Sequence, residues 1–221
     1  MLQTTTIDFL KELKLNNHKD WFEKNRKRYE NAKGDYLQLV GQVLAGVSQN
    51  DPSVAAMQPK DCVFRINRDV RFSKDKSPYK TNMGAGFSKG GKKMIVAGYY
   101  LHCEPGGSFI AGGMWMPEAA SLKKIRQEID YCFEEFDGIV KADSFVKQLG
   151  GLESGSDVML TRPPKGYEET NSAIGYLKLK SFIATSSISD AELTSKELVP
   201  KIVAACAAIQ PLVYFLNRAL E

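Results

Sequence analysis

The most regular alternation of apolar and polar residues lies in residues 64–72. Side chains of one parity point to the same face of a β-strand, and four apolar residues share a parity here: Phe64, Ile66, Val70 and Phe72. The pattern predicts a half-buried strand. Residues 73–76 and the Ser77-Pro78 step are typical of a turn. Residues 80–87 are therefore predicted to return as the second strand of a hairpin-like platform.

Alternation continues in residues 94–104, which predict a third strand. Tyr99 and Leu101 fall on one face of it, and Tyr100, His102 and Glu104 fall on the other. Residues 104–107, Glu-Pro-Gly-Gly, place a proline and a glycine at the centre of a type II turn. Residues 108–116 are thus predicted to pair antiparallel with the third strand. The many glycines nearby indicate a bulge, or the close approach of another backbone or of a ligand.

Apolar residues at helical spacing predict helices on both sides of these strands. The last strand, or a helix-to-strand step, is predicted around Leu177, Leu179 and residues 182–184. These elements together predict an α+β fold, a mostly antiparallel sheet flanked by helices, in a single domain of residues 1–221. The predicted helices are a short one capped by Thr5 or Thr6 and ending at Asn16, a long one capped by Asn17 and ending at Ser48, one from Pro117 to about Glu135, one from Ser144 to Gly150, and a last one capped by Ser195.

Charge is distributed unevenly along the chain. The 221 residues are 43% hydrophobic and 25% charged, with a net charge of +4, as in an ordinary globular protein able to bury one sizeable core. Residues 60–93 hold ten Lys or Arg against three Asp, a local charge of +7, which leaves 20 cationic against 23 acidic residues elsewhere. The positive charge therefore forms a defined region and not a general background.

The chemistry of this region predicts an anion site. Guanidinium groups bind phosphate or carboxylate through two hydrogen bonds, lysines act as point charges, and a tyrosine hydroxyl donates. We therefore predict a basic pocket for a small phosphate- or carboxylate-bearing ligand, bound by Arg65, Arg68, Arg71, Lys76, Tyr79 and Lys80.

A structural role remains open for the same cations, as does the placement of Arg68. The arginines can pair with carboxylates inside the protein while the lysines form a solvated face. Arg68 falls on the apolar parity, so either a bulge redirects it or it enters the core side with a partner.

Asp75, His102 and Glu104 are the candidate catalytic residues, as a general acid or base beside the bound anion. The alternative is a pair of hydrogen-bonded polar residues on a sheet face. His-x-Glu begins the zinc-deaminase signature, but the Pro-Cys-x-x-Cys part is absent, and the chain has two histidines. Residues 88–93 lack the spacing of a phosphate-binding P-loop. No metal and no cofactor is predicted, and whether the protein is an enzyme stays open.

A nucleic-acid or protein-binding module is the second functional hypothesis, less favoured than the small ligand. It uses the same basic surface, with Tyr79, Tyr99 or Trp115 as stacking faces. The four cysteines are widely spaced without a Cys-x-x-Cys pattern, which indicates reduced thiols in a cytoplasmic protein. Residues 1–6 lack a secretory signal pattern, and no run of about 18 apolar residues occurs, so no membrane partner is expected.

Three long motifs resemble a known family. They are F-R-I-N-R-D-V-R-F-S-K-D-K-S-P-Y-K-T-N, Y-Y-L-H-C-E-P-G-G-S-F-I-A-G-G-M-W-M-P and N-N-H-K-D-W-F-E-K-N-R-K-R-Y-E. They are similar to the bacterial and fungal family known as domain of unknown function twenty-four sixty-one, and the likeness covers nearly the whole chain. The resemblance implies one intact domain with its signature on the platform. It implies no activity and no catalytic residue.

Overall fold

The computed structural model describes residues 1–91 and 95–221. Over these residues it confirms the predicted α+β fold with an antiparallel sheet. A 3-10 turn, Pro52–Val54, follows the long third helix. The other elements, in chain order, are α1 (Thr4–Leu15), α2 (Lys19–Lys24), α3 (Arg26–Asn50), α4 (Pro59–Cys62), β1 (Met83–Phe87), β2 (Gly98–Cys103), β3 (Ser108–Met114), α5 (Ala119–Tyr131), α6 (Phe133–Lys141), α7 (Asp143–Leu149), α8 (Ile174–Leu177), β4 (Phe182–Ile188), α9 (Asp190–Leu193) and α10 (Leu198–Arg218).

The sheet has the strand order β1-β2-β3-β4, with every neighbouring pair antiparallel. The predicted type II turn joins β2 to β3: the Gly107 amide donates to the Glu104 carbonyl at 2.9 Å, and Gly106 has a φ of 79°. The strand predicted around residues 182–184 is β4. Residue 94, the predicted start of the third strand, lies outside the described residues, and regular pairing there begins at Gly98.

One face of the sheet is buried under α3 and α10. Tyr36 of α3 donates a hydrogen bond to the Leu101 carbonyl at 3.2 Å. Gly112 lets α10 come close, since a Cβ at this position would lie 2.5 Å from a methyl carbon of Ile209. Tyr99, Leu101 and Cys103 of β2 point into this core, as their parity predicts. Tyr100 and His102 therefore point to the opposite side, called here the outer face.

A buried carboxylate joins the end of α3 to β2 and α10. Asp51 accepts hydrogen bonds from the Tyr99 hydroxyl at 2.8 Å, from the Tyr214 hydroxyl at 3.1 Å and from the Ser53 amide at 3.0 Å. Burial raises the pKa of Tyr99, and its hydrogen bond to Asp51 raises it further. The satisfied carboxylate fixes the two long helices to the sheet. Tyr99 is therefore committed to the core and is not a stacking face.

The last helix is the most apolar element. By length and composition alone, α10 meets the requirement for crossing a membrane. Core helices meet the same requirement, and α10 packs against α3, β3, α6 and α7. Its apolar side chains, among them Ile202, Ile209 and Leu216, are buried within this fold.

Several predicted helix boundaries are wrong. Asn17 does not cap a helix: the ring of His18 accepts from the Trp21 amide at 3.4 Å and caps α2, which ends at Asn25 before α3 begins. Thr6 donates to Asp35 at 2.6 Å inside α1 instead of capping it. In each case a hydrogen bond to a residue distant in sequence takes the polar side chain: Thr6 binds Asp35, and Asn17 binds the backbone of Tyr79. The helix predicted from Pro117 is two helices that meet at Cys132, and α10 begins at Leu198 after Glu197, not at a Ser195 cap. The predicted stop at Gly150, with a φ of 75°, is confirmed.

The strand predicted over residues 64–72 is wrong as a regular element. Residues 63–82 form a long loop, called here the basic hairpin, whose two arms meet through isolated bridges such as Asn67 with Tyr79. The apolar parity holds for buried Ile66 but fails at Phe72, whose surface is 96% exposed. Asp69 and Asp75 accept hydrogen bonds from amides two residues ahead of them, which competes with a strand ladder.

Gly113 is the position where the sheet tolerates substitution least. It has a φ of 116°, and a Cβ there would lie 1.9 Å from the Phe182 carbonyl oxygen of β4. Gly113→Ala should lower the free energy of unfolding by about 3 kcal/mol or more, because the clash is with backbone that cannot turn aside. Urea denaturation followed by circular dichroism measures the loss.

Gly138→Ala is the matched control. Gly138 lies in α6, and a Cβ there meets nothing within 4 Å. Alanine should stabilise the protein by about 0.5–1 kcal/mol, because it has the higher helix propensity. Equal stability of Gly113→Ala and wild type would contradict the packing of β3 against β4.

Candidate functional site

The basic hairpin is tied to the rest of the fold at both ends of its arms. The Phe64 amide donates to the Gly84 carbonyl at 2.9 Å, and the Lys80 amide donates to the Ile66 carbonyl at 2.8 Å. The side-chain amide of Asn17 donates to the Tyr79 carbonyl at 2.9 Å and accepts from the Tyr79 amide at 3.1 Å. The hairpin therefore leaves the sheet at β1 and is fastened to the loop between α1 and α2.

Two of the predicted anion-binding arginines are paired within the hairpin. Arg68 binds the Asp75 carboxylate, and its guanidinium also donates to the Ser77 carbonyl at 3.1 Å. Arg71 binds Asp69 in a forked contact with a shortest distance of 2.7 Å. The alternative of internal pairing therefore describes these two residues, and Arg68 enters the hairpin with a partner.

Two more predicted ligand residues have structural contacts. The Lys76 ammonium donates to the Val70 carbonyl at 3.0 Å. The ring of Tyr79 stacks on Phe22 of α2, with centroids 3.9 Å apart, and is buried. Burial raises the pKa of Tyr79. The stacking fixes the hairpin to α2 and turns Tyr79 away from solvent, whereas the Lys76 contact lies within the hairpin.

Of the five cations in the predicted ligand set, Arg65 and Lys80 are the two whose side chains make no hydrogen bond within the part of the chain that the structure describes. The Lys80 ammonium lies 5.6 Å from the centre of the Phe64 ring. Burial lowers the pKa of Lys80, and the positive charge of Arg65 lowers it further. Among the described residues, neither side chain hydrogen bonds to a carboxylate. Two neighbouring cations that repel each other bind an added anion favourably.

Beside them, a hydrogen-bonded chain crosses the outer face of β2. The Tyr100 hydroxyl lies 3.1 Å from His102 Nδ1, and His102 Nε2 lies 3.2 Å from a Glu104 carboxylate oxygen. The Asn82 side-chain amide lies 3.3 Å from the same Nδ1. The ring of Phe109 stacks on the imidazole, with centroids 4.7 Å apart and planes 8° from parallel. A chain of this kind transfers or stabilises a proton between its ends.

Glu104 anchors one end of the chain. Burial alone would raise its pKa, but hydrogen bonds from Thr81, at 2.7 Å, and from His102 outweigh burial and hold the pKa below its usual value. The Lys14 ammonium of α1 lies 3.7 Å away and adds a favourable charge. Glu104 is therefore an ionised acceptor that orients His102, and Tyr100 is the group at the other end of the chain.

An open groove of about 760 Å³ runs over the outer face from this chain towards β4. Aromatic side chains line it, including those of Phe64, Tyr100, Phe109 and Trp115. Glu153 and Thr185 lie on its β4 side. The floor consists of small residues from neighbouring strands: Gly86, Gly98, Ala111 and Gly113. A concave, mostly apolar surface with a few polar groups is typical of a small-molecule site.

The structure brings some predicted residues together and separates others. His102 and Glu104 are in contact, and Lys80 reaches the same area through Phe64 and Tyr100. Among the described residues, no hydrogen bond or ion pair joins Asp75 to His102 or Glu104. Within residues 1–91 and 95–221, no three His, Cys, Asp or Glu side chains converge as a metal site.

Sequence reasoning missed Tyr100 as a member of the chain, and it missed Phe64, Phe109 and Glu153 as groove residues. The parity of β2 placed Tyr100 on the same face as His102, which was the available signal. The glycines of the region were the other signal, because they allow a ligand to approach the backbone. Glu153 lies far from the platform in sequence, and its contacts with Ile183 and Thr185 of β4 bring it to the groove.

Comparison with known proteins gives one result. A family model described as "Conserved hypothetical protein (DUF2461)" matches residues 5–215. Comparisons with curated proteins and with solved structures give no match. The family match extends from α1 to the last turn of α10, so it includes the hairpin, the sheet and the groove together.

The pairing inside the basic hairpin predicts an unusual titration. Hydrogen bonds from the Ser77 hydroxyl and amide, and then from Arg68, lower the pKa of Asp75 to about 2. Because the folded pKa lies below the ordinary value of about 3.9, the stabilisation is full above about pH 4 and is lost as the pH falls towards the folded pKa. We expect the Ser77 amide proton to titrate with a midpoint of about 2 in an NMR series.

Arg68→Met is the informative variant for this titration. It removes the charged partner and keeps the apolar stem, so the midpoint should move upwards while the Ser77 hydrogen bonds persist. A wild-type midpoint at the ordinary aspartate value would show that Asp75 does not hold the hairpin.

Proposed function

The chain belongs to the DUF2461 family of conserved hypothetical proteins, and from this premise we propose that it binds a small phosphate- or carboxylate-bearing ligand at Arg65 and Lys80. The observation that carries the proposal is the contrast within one hairpin. Arg68 and Arg71 have carboxylate partners, whereas the Lys80 side chain has none among the described residues, and burial and then the nearby positive charge of Arg65 lower the pKa of Lys80. An anion relieves this repulsion.

The surroundings favour a small ligand. Phe64 lies between Lys80 and Tyr100, at 5.6 Å from the ammonium and 6.0 Å between ring centroids. Both aromatic rings line the groove. An anion held by Lys80 and Arg65 is therefore continuous with a concave surface that shelters the rest of the molecule.

The chain of Tyr100, His102 and Glu104 extends the proposal towards catalysis. The ring of Tyr100 lines the groove and its hydroxyl contacts His102, while the carboxylate end of the chain is held by Thr81. A ligand bound at Lys80 brings its neighbouring atoms close to this hydroxyl, where a proton can be given or taken. An enzymatic role and a cytoplasmic location remain predictions from the sequence.

Binding is tested with a panel of phosphorylated and carboxylated metabolites, including inorganic phosphate. A ligand at 100 times its Kd should stabilise the wild type by about 2.7 kcal/mol in a thermal-shift assay. Arg65→Ala and Lys80→Met should each weaken its binding by about tenfold or more, because each removes a charge-assisted contact. Isothermal titration calorimetry gives the affinities.

Arg71→Ala is the matched control, since it removes an equal charge from the same hairpin at a residue already paired with Asp69. Its affinity should stay within about twofold of wild type. The proposal is wrong if Arg71→Ala and Arg65→Ala weaken binding equally, or if no member of the panel stabilises the wild type.

One observation favours nucleic acid as the second candidate partner. Phe72 is almost fully exposed, and the Arg71 guanidinium lies 5.8 Å from its ring centre. An exposed aromatic ring among cations is how many proteins hold single strands. This surface lies on the hairpin tip, apart from the groove residues.

Salt distinguishes the two candidates. Binding through six to ten phosphates should fall by about 10³-fold or more between 50 and 200 mM salt, and Phe72→Ala should weaken it further. We expect a single-stranded oligonucleotide to bind weakly, with Phe72→Ala leaving phosphate binding unchanged. Tight, strongly salt-dependent oligonucleotide binding that Phe72→Ala abolishes would favour the nucleic-acid function instead.

A further inference from the structure

The floor of the groove is flat because of the sheet register. Gly98 pairs with Gly113, and Gly86 and Ala111 lie opposite Tyr100 on its two sides. Backbone geometry requires two of these glycines: a Cβ would lie 2.5 Å from a carbonyl oxygen at Gly98 and 1.9 Å from one at Gly113. The floor therefore carries no side chain at Gly86, Gly98 and Gly113, whereas Tyr100 and Phe109 project from the same face.

The walls of the groove are aromatic and partly open. The side chain of Trp115 is 59% exposed, although it lies beside the buried end of β3. Phe64 is 38% exposed on the β1 side. Exposed aromatic rings around a flat floor favour a planar ligand, because planar rings make offset-stacked or edge-to-face contacts over a large area.

A carboxylate marks the β4 side of the groove. One oxygen of Glu153 accepts a hydrogen bond from the Thr185 hydroxyl at 2.6 Å, and the Glu153 amide donates to the Ile183 carbonyl at 2.9 Å. An ionised carboxylate accepts about four hydrogen bonds, so Glu153 retains capacity to accept more. It repels an anion and attracts N–H donors.

The two ends of the groove therefore differ in chemistry. Thr185, Ala111, Tyr100 and Gly86 form one row across all four strands. Three strand spacings separate the ends of that row, about 14 Å. The Glu153 end accepts N–H donors, and the end near Phe64 has the Lys80 ammonium beside it. A ligand that satisfies both ends of the groove therefore carries N–H donors at one end and a negative charge at the other.

We infer that the ligand is a flat heteroaromatic ring with N–H donors, joined to an anionic group, as in a nucleoside monophosphate. The ring lies on the glycine floor beside Trp115 with its donor edge at Glu153, and the anion lies at Lys80 and Arg65. This inference rests on the proposed function for the anion. The ring and its donor edge are the new part, and they rest on the groove itself.

The test compares three probes by isothermal titration calorimetry. Adenosine 5′-monophosphate has the ring and the anion, ribose 5-phosphate has the anion alone, and adenosine has the ring alone. The monophosphate should bind about tenfold or more tightly than either fragment, as expected when stacking and a charged contact act together. Decanoate serves as the probe for an apolar chain with a carboxylate.

Two variants locate the ring. Trp115→Ala should weaken binding of the monophosphate by about tenfold, the usual effect of losing a stacking face, and should leave ribose 5-phosphate within about twofold. Glu153→Gln should also weaken the monophosphate and spare ribose 5-phosphate. Glu168→Gln is the matched control, because Glu168 is exposed and does not line the groove. It should change neither affinity.

The outcomes separate this inference from the proposed function. If ribose 5-phosphate binds as tightly as the monophosphate and depends on Arg65, the anion site stands and the ring inference is overturned. If adenosine binds as tightly as the monophosphate and depends on Trp115 and Glu153, the ring site stands and the anion site fails. Tighter binding of decanoate than of the monophosphate, or no binding of any probe, overturns the inference.

Discussion

The packing of α3 and α10 on one face of the sheet is the constraint on which the rest of the structure depends. Tyr36, Gly112 and Ile209 set how closely these helices approach, and Asp51 ties them to Tyr99. Since side chains alternate along a strand, burying one parity of β2 forces the other parity outward. Tyr100 and His102 are therefore presented on the outer face by the same packing that forms the core.

Local pairing decides which cations are available to a ligand. Asp69 and Asp75 lie within a few residues of Arg71 and Arg68, so these partners are joined inside the hairpin before any ligand arrives. Arg65 and Lys80 lie at the base of the hairpin, where the arms return to the sheet next to Phe64. Position along the hairpin, and not residue type, separates structural cations from those proposed to bind an anion.

The outer face carries both a hydrogen-bonded chain of polar side chains and an aromatic groove. Tyr100 belongs to both, because its hydroxyl contacts His102 while its ring lines the groove. Glycines in the floor have no side chains that would keep a planar ligand from the strands, and Glu153 gives the groove a polar end opposite Lys80. The proposed ligand, with an anion at one end and N–H donors at the other, follows from this polarity.

The sequence by itself determined the fold class, the antiparallel pairing of β2 with β3, the turn at residues 104–107 and the position of His102 and Glu104 on one face of the strand. These depend on short-range alternation and turn chemistry, which neighbouring residues fix. Only the tertiary structure decided that residues 64–72 are not a regular strand, that Arg68 and Arg71 are paired, and that Tyr79 packs on Phe22. It alone brought Glu153 to the groove. Alternation of apolar residues does not show which carboxylate a nearby arginine will take, as at Arg71 and Asp69. Contacts between residues far apart in sequence, such as Tyr79 with Phe22 and Glu153 with Thr185, leave no local signal in the chain.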